Sequence, residues 1–241
     1  MDETPSHAIP EPAPRYRWKI DYSIVGDLKF ISHHDTIRLF ERAFARALFP
    51  VRFTEGFNPH PRMTIPLPRP VGIASQAESI IVETTADLEL DAWRDRLDRH
   101  TPDDLSIRAI RRLALGEKPH PDWVRYQFAP REALGSDIDE QIAAVLGADT
   151  IEVERKKPGD TATKIVDIRP YIMEIRTDGT TIDFSLTISQ RGTAKPGEIA
   201  GLLGHDPKTI NHRIRRLFVH WRQTSDSVQE THASKDGEEK K

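Results

Sequence analysis

The order strand, helix, strand, strand, helix, strand can be read along this chain from residue 16 to residue 113, and a similar order returns between residues 124 and 221. The first reading begins with strict alternation: Tyr16, Trp18, Ile20, Tyr22 and Ile24 are apolar, and Arg17, Lys19, Asp21 and Ser23 between them are polar. Residues 16–25 therefore form a strand with one buried face. Ser32 then opens a helix, because its hydroxyl can accept from the Asp35 amide while the Asp35 carboxylate reaches back toward the cap. Ile37, Phe40, Ala43, Phe44, Ala47 and Leu48 recur at three- and four-residue spacing, which gives that helix one apolar face, and Pro50 ends it. Residues 51–54, 63–67 and 78–85 read as strands, 91–100 as a second helix with Leu90, Trp93 and Leu97 inward, and 106–113 as the closing strand.

The second half reads as a strand at 124–128, a helix at 131–146, strands at 151–155 and 164–167, and a hairpin of 171–177 with 181–189 across Asp178-Gly179. A helix at 196–203 follows, with Pro196 at its start and Gly204 past its end. Residues 211–221 close the unit as a strand, although Asp206-Pro207 could equally open a helix carrying Ile210, Ile214 and Leu217. Both halves end in Ile-Arg-Arg-Leu, at 110–113 and 214–217. The expected fold is α+β: two tandem ferredoxin-like (split βαβ) units with antiparallel sheets, at 15–115 and 123–222. A linker at 116–122 joins them. A proline-rich tail at 1–14 and a charged tail at 223–241 are expected to be disordered.

Chemistry concentrates between Ser32 and Arg62. His34, Arg38, Arg42 and Arg46 follow one another at four-residue steps and so form a cationic ridge along one side of the first helix. Gly56-Phe57-Asn58-Pro59-His60-Pro61-Arg62 comes next, a loop in which two prolines fix backbone angles around polar side chains. Arg38, Arg42, Arg46, Phe57, Asn58, His60 and Arg62 are the candidate substrate-binding residues: arginines meet phosphates, and Phe57 can stack on a base. Gln190-Arg191-Gly192-Thr193-Ala194-Lys195 could add amides and charge, or be a plain connector. The alternative is an enzyme with acid–base or metal chemistry, for which His33, Asp35 and His60 are the catalytic candidates. A hydrolytic metal needs about three such ligands converging, and His33 and His34 are expected to point in different directions. No phosphate-cradling glycine loop, nucleophile elbow or dinucleotide fingerprint occurs.

Ser32-His33-x-Asp35, Glu41-Arg42-Ala43, Arg46-Ala47, Gly56-Phe57-Asn58-Pro59-His60-Pro61, Gly72 and Glu78, with Val166-Asp167-Ile168-Arg169-Pro170-Tyr171-Ile172 in the second half, match in order a known pattern. Together they resemble the radical-SAM-linked family, the bacterial domain of unknown function 2344, over most of residues 16 to 220. Members of that family usually carry an apolar residue where this chain has His34. The resemblance implies association with a cobalamin-binding radical-SAM protein, often as the C-terminal part of one chain, and no established reaction. Because this chain has no cysteine, the expected partner is a separate protein that would use S-adenosylmethionine, an iron–sulfur cluster and cobalamin, with no cofactor bound by this chain.

Composition agrees with an accessory role. The chain has no cysteine, which excludes disulfides, thiolate nucleophiles and cysteine-ligated clusters. With 37% hydrophobic and 30% charged residues it is an ordinary globular composition, and no apolar run reaches membrane-span length. Residues 1–14 lack the pattern of a signal peptide, so a cytoplasmic location and no membrane partner are expected. Net charge is −3 and the pI about 6.4, so any affinity for RNA must come from a local patch.

Overall fold

The computed structural model describes residues 14–114, 116–156, 163–207 and 209–222. The tail readings at 1–13 and 223–241 lie outside the described residues. Within them the fold is α+β, with four α-helices and a mostly antiparallel sheet. The first half comprises β1 (Tyr16–Ile24), α1 (His33–Ala47), β2 (Met63–Thr64), β3 (Ala74–Thr84), α2 (Leu90–Asp98) and β4 (Leu105–Arg112). The second comprises β5 (His120–Phe128), α3 (Ile138–Gly147), β6 (Glu152–Lys156), β7 (Thr163–Asp167), β8 (Ile172–Thr177), β9 (Ile182–Thr187), α4 (Pro196–Leu202) and β10 (Ile214–Arg222).

The strand order is β4-β1-β3-β10-β5-β9-β8, with β2 also paired to β3, while β6 and β7 form a separate two-stranded sheet. Setting that hairpin aside, each half orders its own strands fourth, first, third, second. The halves meet where β10 runs parallel to β3, Arg215 opposite Ala74 and Arg216 opposite Ser75. The segment that reads as either helix or strand is therefore a strand from Ile214, preceded by one 3-10 turn at Asn211–Arg213. The repeated Ile-Arg-Arg-Leu is not structurally equivalent: Ile110–Arg112 ends β4, whereas Ile214–Leu217 begins β10.

The helices cover one face of the sheet. Leu39, Phe40 and Phe44 of α1 and Leu97 of α2 pack on Trp18, Ile20, Tyr22, Ile80 and Val82. Ile138, Ile142 and Val145 of α3 and Ile199 of α4 pack on Val124, Tyr126, Phe128, Phe184 and Leu186. Each phenylalanine buried this way stabilises the fold by about 1.5–3 kcal/mol. Between the two cores lies an ion pair, Arg216 Nη1 to Glu78 Oε1 at 2.8 Å, with side chains only 1% and 2% exposed.

Boundaries depart from expectation where proline and glycine intervene. The strand read at 51–54 is reduced to single bridges, Val51 to Thr84 and Phe53 to Pro61, because Pro50, Pro59 and Pro61 lack amide donors. The strand read at 63–67 stops after Thr64, short of Pro66 and Pro68. The helix read from Arg131 begins only at Ile138, after a turn in which the Ile138 amide donates to the Gly135 carbonyl.

Candidate functional site

At the start of α1 the cap forms as its residues dictate. The Asp35 amide donates to Ser32 Oγ at 3.1 Å, and that hydroxyl donates to Asp35 Oδ2 at 2.7 Å. The Ser32 hydroxyl bond holds the Asp35 carboxyl below the ordinary carboxylate range, with further help from Arg38 and His34. Asp35 is thus an ionised capping group, poorly suited to donating a proton. The His33 and His34 rings, expected to diverge, lie with centroids 5.7 Å apart.

Arg38, Arg42 and Arg46 are all exposed. Arg38 pairs with Asp35 at 3.6 Å. Arg46 donates to the His100 carbonyl at 2.9 Å, which draws it toward the end of α2. Among the described residues Arg42 has no ion pair. Four-residue steps drift by about 40° around a helix of 3.6 residues per turn, so the ridge winds gradually around α1.

The loop after α1 closes a backbone-paired stem. Thr54 N–H donates to the His60 carbonyl at 2.8 Å, and Arg62 N–H donates to the Arg52 carbonyl at 2.8 Å. His60 N–H donates to Thr54 Oγ1 at 2.9 Å. The Arg62 guanidinium reaches the Phe53 carbonyl at 3.4 Å. Phe57 projects from this stem fully into solvent, and Asn58 and His60 are exposed. Gly56 makes the tip possible, with φ of +121°.

The side of the loop carrying His60 faces the C-terminal half of α1 across a groove of about 570 Å³, lined by Glu41, Phe44, Leu48, Phe53 and His60 among others. Leu48 caps α1 in a left-handed conformation, φ +51°, and is 74% exposed. Sequence reasoning missed this groove. Its signal was Leu48 itself, an apolar residue placed directly before the Phe49-Pro50 helix stop.

The structure therefore joins His60 to Glu41 and an apolar wall, while His33 and Asp35 stand at the other end of α1. Ala45 lines the same groove as His60. At ~1.5 Å per residue Ala45 stands about 18 Å from His33 along α1, and Glu41, where the groove's lining of α1 begins, about 12 Å. The three candidate catalytic residues are not brought together, and among the described residues no group of three or more His, Cys, Asp or Glu side chains converges to hold a metal. In the 190–195 loop three amides are already taken: Arg191 N–H donates to Ser189 Oγ, Gly192 N–H to the Ser189 carbonyl and Lys195 N–H to Glu198.

A family described as an uncharacterized protein conserved in bacteria (DUF2344) matches residues 15–196. The chain belongs to this family. The DUF2344 match takes in α1, the proline loop, Gly72 and Glu78, and ends at Pro196, short of the 16 to 220 span over which the motifs resemble the family. No curated protein matches the chain. Among the described residues, no helix of this DUF2344 protein is long and apolar enough to cross a membrane.

Proposed function

We propose that this chain is a non-catalytic, cytoplasmic binding protein that holds RNA or another polyanion and works with a separate cobalamin-binding radical-SAM protein. The observation that carries the reading is the ridge of Arg38, Arg42 and Arg46, exposed on α1 with, among the described residues, only Asp35 within ion-pair reach of any of them. Three unneutralised or weakly paired guanidinium groups on one helix face on a protein of net charge −3 are a local attraction for phosphate. Phe57 and Asn58 are exposed on the loop that follows α1 and could contact bases. We infer that the scaffold is a tandem of ferredoxin-like units, supported by the fourth-first-third-second strand order in each half. The partner reading rests on the family resemblance, and the absence of cysteine assigns any cluster to the partner.

The test is binding of cellular RNA to the full chain at rising salt. Affinity should fall steeply with salt, and Arg42→Glu should weaken it across all sequences while reducing the salt slope by about one. Salt-independent binding, or none, refutes the reading. Loss of radical-SAM partner capture by Arg42→Glu with RNA affinity intact would instead make the ridge a protein interface.

A further inference from the structure

The face of the sheet away from the helices carries a second feature. On β5, Val124, Tyr126 and Phe128 enter the core, so Trp123, Arg125 and Gln127 project from the other side. Across the β5–β10 ladder, His220 stands opposite Trp123, Phe218 opposite Arg125 and Arg215 opposite Gln127. The Trp123 ring lies 5.5 Å from His220 at an interplanar angle of 9° and 5.2 Å from Phe218, and the Arg125 guanidinium lies 5.7 Å from its centroid. Phe218 is 46% exposed although it sits mid-strand in β10. A protein gains nothing for its own core by arraying three rings on the outward side of adjacent strands.

The charges around these rings are sorted. Asp122 is taken by Arg222 at 2.9 Å and lies 3.6 Å from His220, Asp183 accepts from Gln127 at 3.0 Å, and Glu174 pairs with Arg176. Among the described residues, Arg125 and Arg215 have no carboxylate within ion-pair reach. The result is aromatic faces flanked by two uncompensated guanidinium groups along one ladder.

We propose that Trp123, Phe218 and His220 form a stacking platform for the bases of single-stranded RNA, with Arg125 and Arg215 meeting its phosphates. Every base has a π-face, so such a platform is tolerant of sequence and selects unpaired strands over duplexes. The platform lies on the side of the sheet opposite α1, and it stands or falls independently of the arginine ridge.

Fluorescence anisotropy of a labelled oligoadenylate dodecamer, alone and as a duplex, against the full chain tests this. Phe218→Ala should weaken single-strand binding roughly 5- to 100-fold. Trp123→Ala should do the same and Trp123→Phe should restore most of the loss. Binding of the single strand should exceed that of the duplex, and its quenching of tryptophan emission should shrink in Trp123→Phe. If Phe218→Ala, folded by circular dichroism, binds like the wild type, or the duplex binds as tightly, the platform is refuted. Loss on Arg42→Glu alone would overturn the platform and keep the ridge; loss on Phe218→Ala alone would do the reverse. Unchanged oligonucleotide affinity with lost protein capture in Phe218→Ala would make this face a protein interface and also overturn the proposal.

Discussion

Replacing Glu78 by methionine should destabilise the chain more than any surface change, because it strands positive charge inside the seam between the halves. Arg216 and Glu78 are 1% and 2% exposed and 2.8 Å apart. At an effective dielectric of about 20 their attraction is roughly 6 kcal/mol, set against several kcal/mol for drying each ion. Burial alone lowers the affinity of the Arg216 guanidinium for its proton; Glu78 and Tyr126 more than reverse this, so the group stays charged. Arg69, half-buried nearby, donates to the carbonyls of Lys29 and Ile73 at 2.5 and 2.6 Å, and Glu78 also offsets the effect of burial on it. Glu78→Met removes the carboxylate that faces both guanidinium groups. The expected cost is about 3–5 kcal/mol, and Arg216→Met should cost about as much by leaving Glu78 unpaired. The double replacement leaves neither charge, although it gives up the Arg216 bonds to the Leu67 and Pro68 carbonyls, both at 3.3 Å. It should therefore cost less than either single replacement, a coupling of at least about 3 kcal/mol. Urea unfolding followed by circular dichroism measures all four corners of the cycle. Additive costs would refute the reasoning, since they would mean that the pair is not the compensating unit the geometry describes.

Two further outcomes follow from local geometry. Leu48→Gly removes a left-handed leucine that is 74% exposed; relief of about 1–2 kcal/mol against a glycine entropy cost of about 0.5–1 should raise the unfolding temperature slightly. A lowered temperature would show that the leucine's packing on the groove outweighs its backbone strain. In the β8–β9 turn the Asp178 carboxylate accepts from the Thr181 and Thr180 amides at 2.6 and 2.8 Å, which holds its pKa below the ordinary carboxylate range. A depressed carboxylate contributes stability above its unfolded pKa and loses it as pH falls toward the folded value. The stability gap between wild type and Asp178→Asn should thus be full at neutral pH and shrink in acid; a gap that is constant with pH would remove the role assigned to the charge.

Periodicity made most elements legible. Alternation placed β1, the capping pair placed the start of α1, and Asp178-Gly179 placed the β8–β9 hairpin. Proline defeated the reading at 51–54: Arg52 and Thr54 donate to the Glu83 and His60 carbonyls, but Pro50, Pro59 and Pro61 beside and opposite them have no amide with which to extend the ladder. Spacing along one helix revealed that Arg38, Arg42 and Arg46 share a side, but not that Arg46 leans toward His100, which depends on where α2 packs. The Trp123 platform was legible in part. A tryptophan on the polar parity of a strand whose other parity is Val124, Tyr126 and Phe128 is a signal, yet its partners Phe218 and His220 lie on a segment where helix and strand patterns compete.

Two residues of the family pattern that sit among surface-seeking motifs turn out to act at the seam. Gly72 has φ +91°, and its N–H donates to the Lys29 carbonyl at 2.8 Å. A side chain there would begin 3.2 Å from Asn211 Cβ, and Asn211 in turn donates to the Val71 carbonyl at 3.1 Å. Glu78, six residues on, receives Arg216. Both therefore serve the approach of the second half onto the first: one by leaving room for the chain just before β10, the other by fixing the charge that β10 brings in. The seam holds β3 and β10 in one sheet, which places the ridge of α1 and the rings of β5 and β10 on opposite sides of that sheet. A substitution at Gly72 should consequently disturb both surfaces at once, whereas Arg42 and Phe218 can each be changed without the other being felt.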